Sequence, residues 1–313
     1  MKKINLFLSI IFLFICQNIT FGSTLKFAQI SDLHYQSNVL RQNINYYALP
    51  IIDNVAEQIN EDEEVKFTLI TGDIINKRKY NDAKFIYKHF NEIFKTPWYS
   101  VFGNHDLGGR IIFKIKLINL LQEINNFFNT IKKDYYSFRP KSDLLFIGLN
   151  SNYTFKRTPI GYISKKQLSF LKEKMNKSNK NDVIVIFMHH TPIDFPQIHK
   201  NHYIHNEKEF IETLKESQKT ILLLGGHYHA CKIEKEDNII KVATPSLTSL
   251  PLAYRVIEIE NTPTKTIFNF EYKEVDKNLQ EYILKYLNFR KSEFREGREY
   301  DKNNIITIER DNK

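Results

Sequence analysis

Trp98-Tyr99-Ser100-Val101-Phe102-Gly103-Asn104-His105-Asp106 is a mostly apolar run that halts on a glycine and three polar side chains. A short run of this kind, bounded by a turn residue, predicts a buried strand with the polar cluster at its carboxyl end. Working outward, the pattern recurs along the chain. Leu25 to Ile30 stops at Ser31-Asp32-Leu33-His34, Lys66 to Ile70 at Thr71-Gly72-Asp73, Val183 to Met188 at His189-His190, and Ile221 to Leu224 at Gly225-Gly226-His227-Tyr228-His229. Apolar residues at helical spacing lie between these runs, roughly Tyr46 to Asn60, Asp82 to Phe94 (Phe85, Ile86, His89 and Phe90 on one face) and Gln167 to Met175. Alternating strand and helix implies βαβ units, a largely parallel sheet and hence an α/β fold. Folds of this class collect their sites at the carboxyl ends of strands, where all five polar clusters fall.

The rest of the chain adds a long apolar helix over roughly Arg110 to Ile131 and a strand pair at Tyr135 to Phe138 and Leu144 to Leu149. From Cys231 the pattern shortens to strands read as antiparallel: Lys232 to Glu234, Ile239 to Ala243, Tyr254 to Glu260 and Thr266 to Tyr272. An amphipathic helix with Leu279, Ile283, Tyr286 and Leu287 on one face precedes a charged tail from Arg290. No repeat or Gly/Ser linker divides the chain.

The 313 residues are 42% hydrophobic and 26% charged, with ten Gly and nine Pro, which excludes a disordered or collagen-like polymer. Lys and Arg exceed Asp and Glu by 45 to 36, for a net +9. Lysine, asparagine and isoleucine are abundant everywhere, so the excess reads as compositional bias and no nucleic-acid surface is expected. Lys2 and Lys3 precede the apolar run Ile4 to Cys16, followed by small and polar residues around Gly22. That is the layout of a secretory signal peptide cleaved after Gly22, too short for a comfortable bilayer span, with an uncleaved anchor as the alternative. No second apolar span follows, so no transmembrane segment is expected after cleavage. Cleavage removes Cys16 and leaves Cys231 alone, so no internal disulfide can form and the chemistry has to rest on His, Asp, Asn and Ser.

Carboxylate, imidazole and amide oxygen are donors for borderline divalent metals, and one bridging carboxylate can serve two ions. Asp-x-His or Gly-Asp alone is an ordinary turn; Gly-Asn-His-Asp and Gly-His-x-His are more specific, because buried paired imidazoles are costly without a partner. In this order the five blocks resemble the calcineurin-like metallophosphoesterase superfamily. Tyr135-Tyr136-Ser137-Phe138, Phe146 to Ser151, Gln167 to Leu171, Thr244-Pro245-Ser246 and Ala253-Tyr254-Arg255 resemble its connecting elements, nearest its bacterial cyclic-nucleotide phosphodiesterase-like branch. The resemblance runs from about Lys26 to Glu260. It implies two packed mixed β-sheets flanked by helices, an αββα sandwich.

It also implies one divalent metal held by Asp32, His34 and His229, another by Asn104, His189 and His227, and Asp73 bridging both. Manganese, iron and zinc all suit such donors. A metal-bridging hydroxide would attack phosphorus, and His105 would stabilise or protonate the leaving oxygen with Asp106 orienting its ring. His190 becomes a neighbour of the ligands. Three residues after the bridging aspartate, where purple acid phosphatases carry an iron-binding tyrosine, this chain has Asn76. About fifty residues beyond Glu260 are too few for the substrate domain of secreted 5′-nucleotidases.

The expected organisation is a signal peptide at 1–22, a catalytic domain at 23–275 and a C-terminal helix and charged tail at 276–313. The expected activity is that of a secreted or periplasmic phosphodiesterase acting on a nucleotide, another small phosphodiester or a phospholipid headgroup. A phosphomonoesterase is the alternative, and a non-catalytic metal-binding scaffold a more distant one. His199, His202 and His205 form a rim that grips a phosphate or a third metal, or a solvated loop; Lys77-Arg78-Lys79 is a substrate attractor or a solvated charge run; and the Ile111 to Ile131 helix is a lipid contact or a cover for the sheet.

Overall fold

The computed structural model describes residues 22–107, 111–131, 133–153, 158–197, 202–287 and 293–310. Residues 1–21 of the expected leader therefore lie outside the described residues, as do Arg110, His199 and Arg290. In chain order the elements are β1 (Ser23–Ile30), α1 (Ala48–Glu61), β2 (Val65–Ile70), α2 (Tyr80–Ile93), β3 (Trp98–Ser100), a turn α3 (Asn104–Leu107) and α4 (Ile111–Ile124). The second half holds β4 (Tyr136–Lys141), β5 (Leu144–Gly148), α5 (Lys165–Asn176), β6 (Val183–Phe187), α6 (Glu207–Glu216) and β7 (Thr220–Gly225). It closes with β8 (Lys232–Glu236), β9 (Ile239–Ala243), β10 (Ala253–Asn261), β11 (Lys265–Glu274), α7 (Lys277–Tyr286), the turns α8 (Glu293–Glu296) and α9 (Glu299–Lys302), and β12 (Asn304–Glu309).

The strands form two six-stranded mixed sheets, ordered β12-β11-β10-β1-β2-β3 and β4-β5-β6-β7-β9-β8. In the first, β1, β2 and β3 run parallel while β10, β11 and β12 are antiparallel. In the second, β5, β6, β7 and β9 are parallel, with β4 and β8 antiparallel at the edges. The expectation of antiparallel strands after Cys231 thus holds for β8 with β9 and β10 with β11, but β9 joins β7 in parallel.

Strands β5, β6 and β7 are buried along their whole length because both faces are covered. Alternate residues go to opposite sides, as a pleated strand requires. Phe146, Val185, Phe187, Leu222 and Leu224 enter the core shared with the first sheet, where Phe146 meets Phe27 edge-on at 5.3 Å. Ile147, Ile184, Ile186, Ile221 and Leu223 turn outward onto Leu168, Leu171 and Met175 of α5 and Phe210 and Leu214 of α6. On the other flank, α1 buries Ile51, Ile52, Val55 and Ile59 at helical spacing, and α2 buries Ile86 and Phe90. Phe85 stays 44% exposed, stacked between Tyr35 and His89.

Three stretches differ from the sequence reading. The region following the His-rich loop contains α6, whose moment rests on Phe210 and Leu214. The apolar helix ends at Ile124 and passes into a 3₁₀ turn, and only Leu117, Leu120 and Leu121 of it are buried. The charged tail folds back: Asn304–Glu309 pairs with β11, with Ile306 and Ile308 facing in, because a six-residue alternation suffices on an existing sheet edge.

Candidate metal centre

Register brings the five polar clusters together. Ile30 lies opposite Ile70 and Ile70 opposite Ser100, so the loops after β1, β2 and β3 leave the sheet side by side. The ladder continues into them, with Asp32 N–H donating to Gly72 O (3.1 Å) and His34 N–H to Asp73 O (2.9 Å). In the second sheet Phe187 lies opposite Leu224, so His189 and His227 emerge as neighbours. Buried Gln29 joins the sheets, its Nε2 donating to Gly225 O at 3.1 Å. Asp32, His34, Asp73, His227 and His229 all have left-handed φ, between 46° and 71°. That conformation is costly for a side-chain-bearing residue and persists where the surroundings over-determine it, which is common at functional sites.

Each carboxylate divides its oxygens between anchoring and the pocket. Asp32 Oδ2 accepts from Ser31 Oγ (2.7 Å) and from His227 N–H (3.0 Å), whereas Oδ1 is buried with no hydrogen bond, 3.1 Å from His229 Nε2. Asp73 Oδ1 accepts from His105 N–H (2.7 Å), and Oδ2 faces His189 Nε2 (3.3 Å) and His34 Nε2 (3.8 Å). Glycine makes this approach possible: a Cβ on Gly103 would land on the Asp73 carboxylate, and one on Gly226 on Ser31 and Asp32.

The nitrogens and the amide complete two half-sites. His34 Nε2 stands 3.2 Å from His229 Nε2; His189 Nε2 stands 3.2 Å from both Asn104 Oδ1 and His227 Nδ1. Ligands about 2.1 Å from a common ion stand about 3.0 to 3.4 Å apart at tetrahedral or octahedral angles, so these separations suit shared cations. The rings are pre-set: His189 Nδ1 is 2.9 Å from Thr71 O and His229 Nδ1 is 2.8 Å from Ser249 Oγ, leaving each Nε2 for the pocket. The orphaned Asp32 oxygen and the facing imidazole nitrogens therefore fit a pair of divalent cations. Thr71 and Ser249 were not singled out from sequence; a carbonyl partner carries no side-chain signature, and Ser249 lies twenty residues past its ligand.

Charge in the pocket is uneven. Burial alone would raise Asp32, but His229 and His189 bring it down to about 2. Burial opposes a charge on His189 too, yet Asp73, Asp32 and the Thr71 carbonyl lift it to about 9. His34 falls to about 3, as burial outweighs Asp73. Burial and the neighbouring imidazoles push His227 and His190 well below their usual range.

His105 lies at the mouth. Its Nδ1 is 2.9 Å from Asn76 O and its ring meets His34 edge-on at 4.7 Å. The orienting role expected of Asp106 is not what its side chain does. Asp106 Oδ1 accepts from Ile75 N–H (3.0 Å) and Oδ2 from Gly103 N–H (2.8 Å), so its carboxyl pins two site loops while Asn76 O holds the His105 ring. Burial and nearby Asp73 push Asp106 up to about 7.

The remaining candidates separate. His190 is buried against His227, its Nδ1 2.8 Å from Ser151 Oγ. His202 reaches the centre, its ring 5.0 Å from that of His227, whereas His205 is exposed beside Tyr153 and Tyr162. Lys77 and Arg78 line a cleft of about 680 Å³ that opens on Asn104 and His105, with Thr158 and Pro159 also on its walls.

Two mixed sheets with Asp, His and Asn donors gathered at their strand ends define a metallophosphoesterase. The chain belongs to the calcineurin-like phosphoesterase family, whose profile matches residues 25–231, and is a hydrolase acting on phosphoester bonds. It is 24% identical over 229 residues to a probable cyclic nucleotide phosphodiesterase of Xenorhabdus bovienii (strain SS-2004), covering 72% of this chain and 86% of that protein. A probable cyclic nucleotide phosphodiesterase of Colwellia psychrerythraea (strain 34H / ATCC BAA-681) is 25% identical over 216 residues, 66% and 71% of the two chains. In fold, it is similar to a dimetal phosphatase from Danio rerio, with a TM-score of 0.58, 15% identity, and coverage of 80% of this chain and 99% of that one.

Proposed function

We propose that this phosphoesterase is a two-metal phosphodiesterase, exported from the cell, that acts on small phosphodiesters. The observation that carries the diester reading is the open cleft of about 680 Å³ beside His105, with Lys77 and Arg78 on its wall, which is larger than a bare phosphate needs. The names of the Xenorhabdus and Colwellia relatives favour the same reaction. Asp32, His34 and His229 would hold one ion, Asn104, His189 and His227 the other, with Asp73 common to both. When bound, divalent manganese, iron or zinc supplies Lewis acidity, which makes water more acidic and offsets charge on phosphate oxygens.

The chain's own residues do the rest. Lys77 and Arg78 attract the anion and bias its approach. With Nδ1–H donated to Asn76 O, the His105 ring has Nε2 left for proton exchange. A protonated ring gives its Nε2 proton to the departing oxygen. Asp106 keeps the Gly103 and Ile75 loops in register, which fixes both His105 and Asp73.

Hydrolysis of bis(p-nitrophenyl) phosphate against p-nitrophenyl phosphate with added manganese tests the reading, and the diester should be preferred. A metal-containing protein that turned over neither would sink the enzyme, and monoester-only turnover would sink the diesterase. Export rests on the leader: cleavage after Gly22 would leave β1 whole from Ser23. A mature mass that retains Met1 would overturn cleavage, and recovery of that uncleaved chain in the cytosol would overturn export.

A further inference from the structure

Beside the cleft lies a second cavity of about 410 Å³, lined by Arg78, Ile111, Ile112, Phe113 and Lys116. Arg78 lines both, so the two spaces meet at a cation. The apolar wall is the beginning of α4, where Ile111, Ile112 and Ile115 are 46, 70 and 51% exposed. Covering the core does not account for them, because α4 makes that contact farther along, through Leu117, Leu120 and Leu121. Large branched side chains clustered at one exposed helix end mark a binding surface. The volume lies within the usual range of ligand pockets, about 300 to 1,000 Å³. Lys116 also lines the groove, and Arg78 makes it basic where it meets the cleft.

We infer that this groove is a substrate subsite and that the enzyme takes phosphodiesters carrying a hydrocarbon chain, one molecule at a time. The phosphate sits at the candidate metal centre with Arg78 beside it, and the chain runs along Ile111, Ile112 and Phe113. The inference rests on the phosphodiesterase reading and adds to it the class of substituent. The occupant is committed by continuity: whatever fills the groove adjoins the phosphate cleft through Arg78.

Alkyl p-nitrophenyl phosphates from ethyl to octyl, each below its critical micelle concentration, test this with the full manganese-loaded chain. Water adds to phosphorus, the P–O bond to the aryl group breaks, and p-nitrophenolate and an alkyl phosphate result. A fully buried methylene is worth up to about fourfold, and a groove open on one side about twofold, so kcat/KM should rise about 60-fold over the six methylenes from ethyl to octyl. Ile111→Asp and Ile112→Asp change exposed positions on the groove wall; each should flatten that slope, and a melting temperature near that of the parent chain reports that the variant is folded. No turnover of any ester would overturn the phosphodiesterase reading itself. Turnover of the ethyl ester with a flat chain-length dependence would overturn only the subsite, as would a slope that survives both substitutions. Acceleration confined to concentrations above the micelle threshold would assign the isoleucines to a lipid surface. A slope that persists in Ile112→Asp together with a lower native mass would assign them to contact between copies of the chain. Either result overturns the proposal.

Discussion

His34 and His189 both turn Nε2 toward Asp73, at 3.8 and 3.3 Å, yet the first ring is driven down to about 3 and the second up to about 9. The second nitrogen of each ring accounts for part of the contrast. His189 Nδ1 donates to Thr71 O, so an imidazolium there has acceptors at both ends, whereas His34 Nδ1 is buried without a partner among the described residues and a charged ring would bury an orphan N–H. Asp73 and Asp32 thus favour a proton on the His189 ring against its burial, whereas burial keeps the His34 ring neutral. Access differs as well: the His189 side chain is fully buried, and His229 in the other half is 21% exposed. One pocket thus contains a deep half pinned on a main-chain carbonyl and a shallower half pinned on a serine hydroxyl.

Removing what the halves share should have the largest effect. Asp73→Ala deletes the carboxylate facing both, and turnover should fall by about 10³-fold or more with loss of both metals by elemental analysis. Retention of two ions per chain would show that the halves are independent. His105→Ala touches neither half directly, although its main-chain N–H still holds Asp73. Turnover should drop by about 10²- to 10⁴-fold with metal content near normal; parallel loss of metal would refute the proton-transfer role.

The halves should separate on pH. A cation entering the deep half has to expel the His189 proton, so its affinity should fall about tenfold for each pH unit below about 9, or about 100-fold between pH 8 and 6. His34 imposes no such competition above about 3. Without metal, a ring whose folded pKa exceeds 6.5 contributes stability that is full below 6.5 and lost as pH rises through about 9. Asp106, raised to about 7, acts in the same direction over 3.8 to 7. Chelator-treated protein should therefore lose thermal stability from pH 6 to 9 on their account, and metal should remove the His189 part. Two metal isotherms with the same pH slope would remove the contrast between the halves.

How much of this was legible from sequence follows the same division between side chain and main chain. Asp32, Asp73, Asn104, His189 and His227 could be placed because each follows a buried apolar run, and strand ends converge in any α/β fold. The pairing of β9 with β7 could not, since a parallel and an antiparallel partner suit the same short alternation. Asp106 was assigned to the adjacent imidazole, but its carboxyl reaches the amides of Gly103 and Ile75, and main-chain donors leave no trace in residue identity. The left-handed φ values of Asp32 and His229 are equally silent, since neither residue type demands that conformation. In α4 the composition was readable and the placement was not: Leu117 and Ile112 look alike as letters, yet one is in the core and the other in solvent.

The smallest effect should come from the outer anchor. Ser249→Ala removes the hydroxyl 2.8 Å from His229 Nδ1 without touching any donor that faces the pocket. Loss of a partner behind a ligand histidine costs about 10- to 100-fold in metal affinity. The low end applies here, because His229 is partly exposed and water can replace the serine oxygen. The deep half offers no equivalent side-chain substitution, since its anchor is the Thr71 carbonyl, and its affinity should not change in Ser249→Ala. Titration with manganese should therefore show one weakened isotherm and one unchanged. Equal weakening of both would mean that Asp73 transmits strain across the pocket and that the two halves are one cooperative unit.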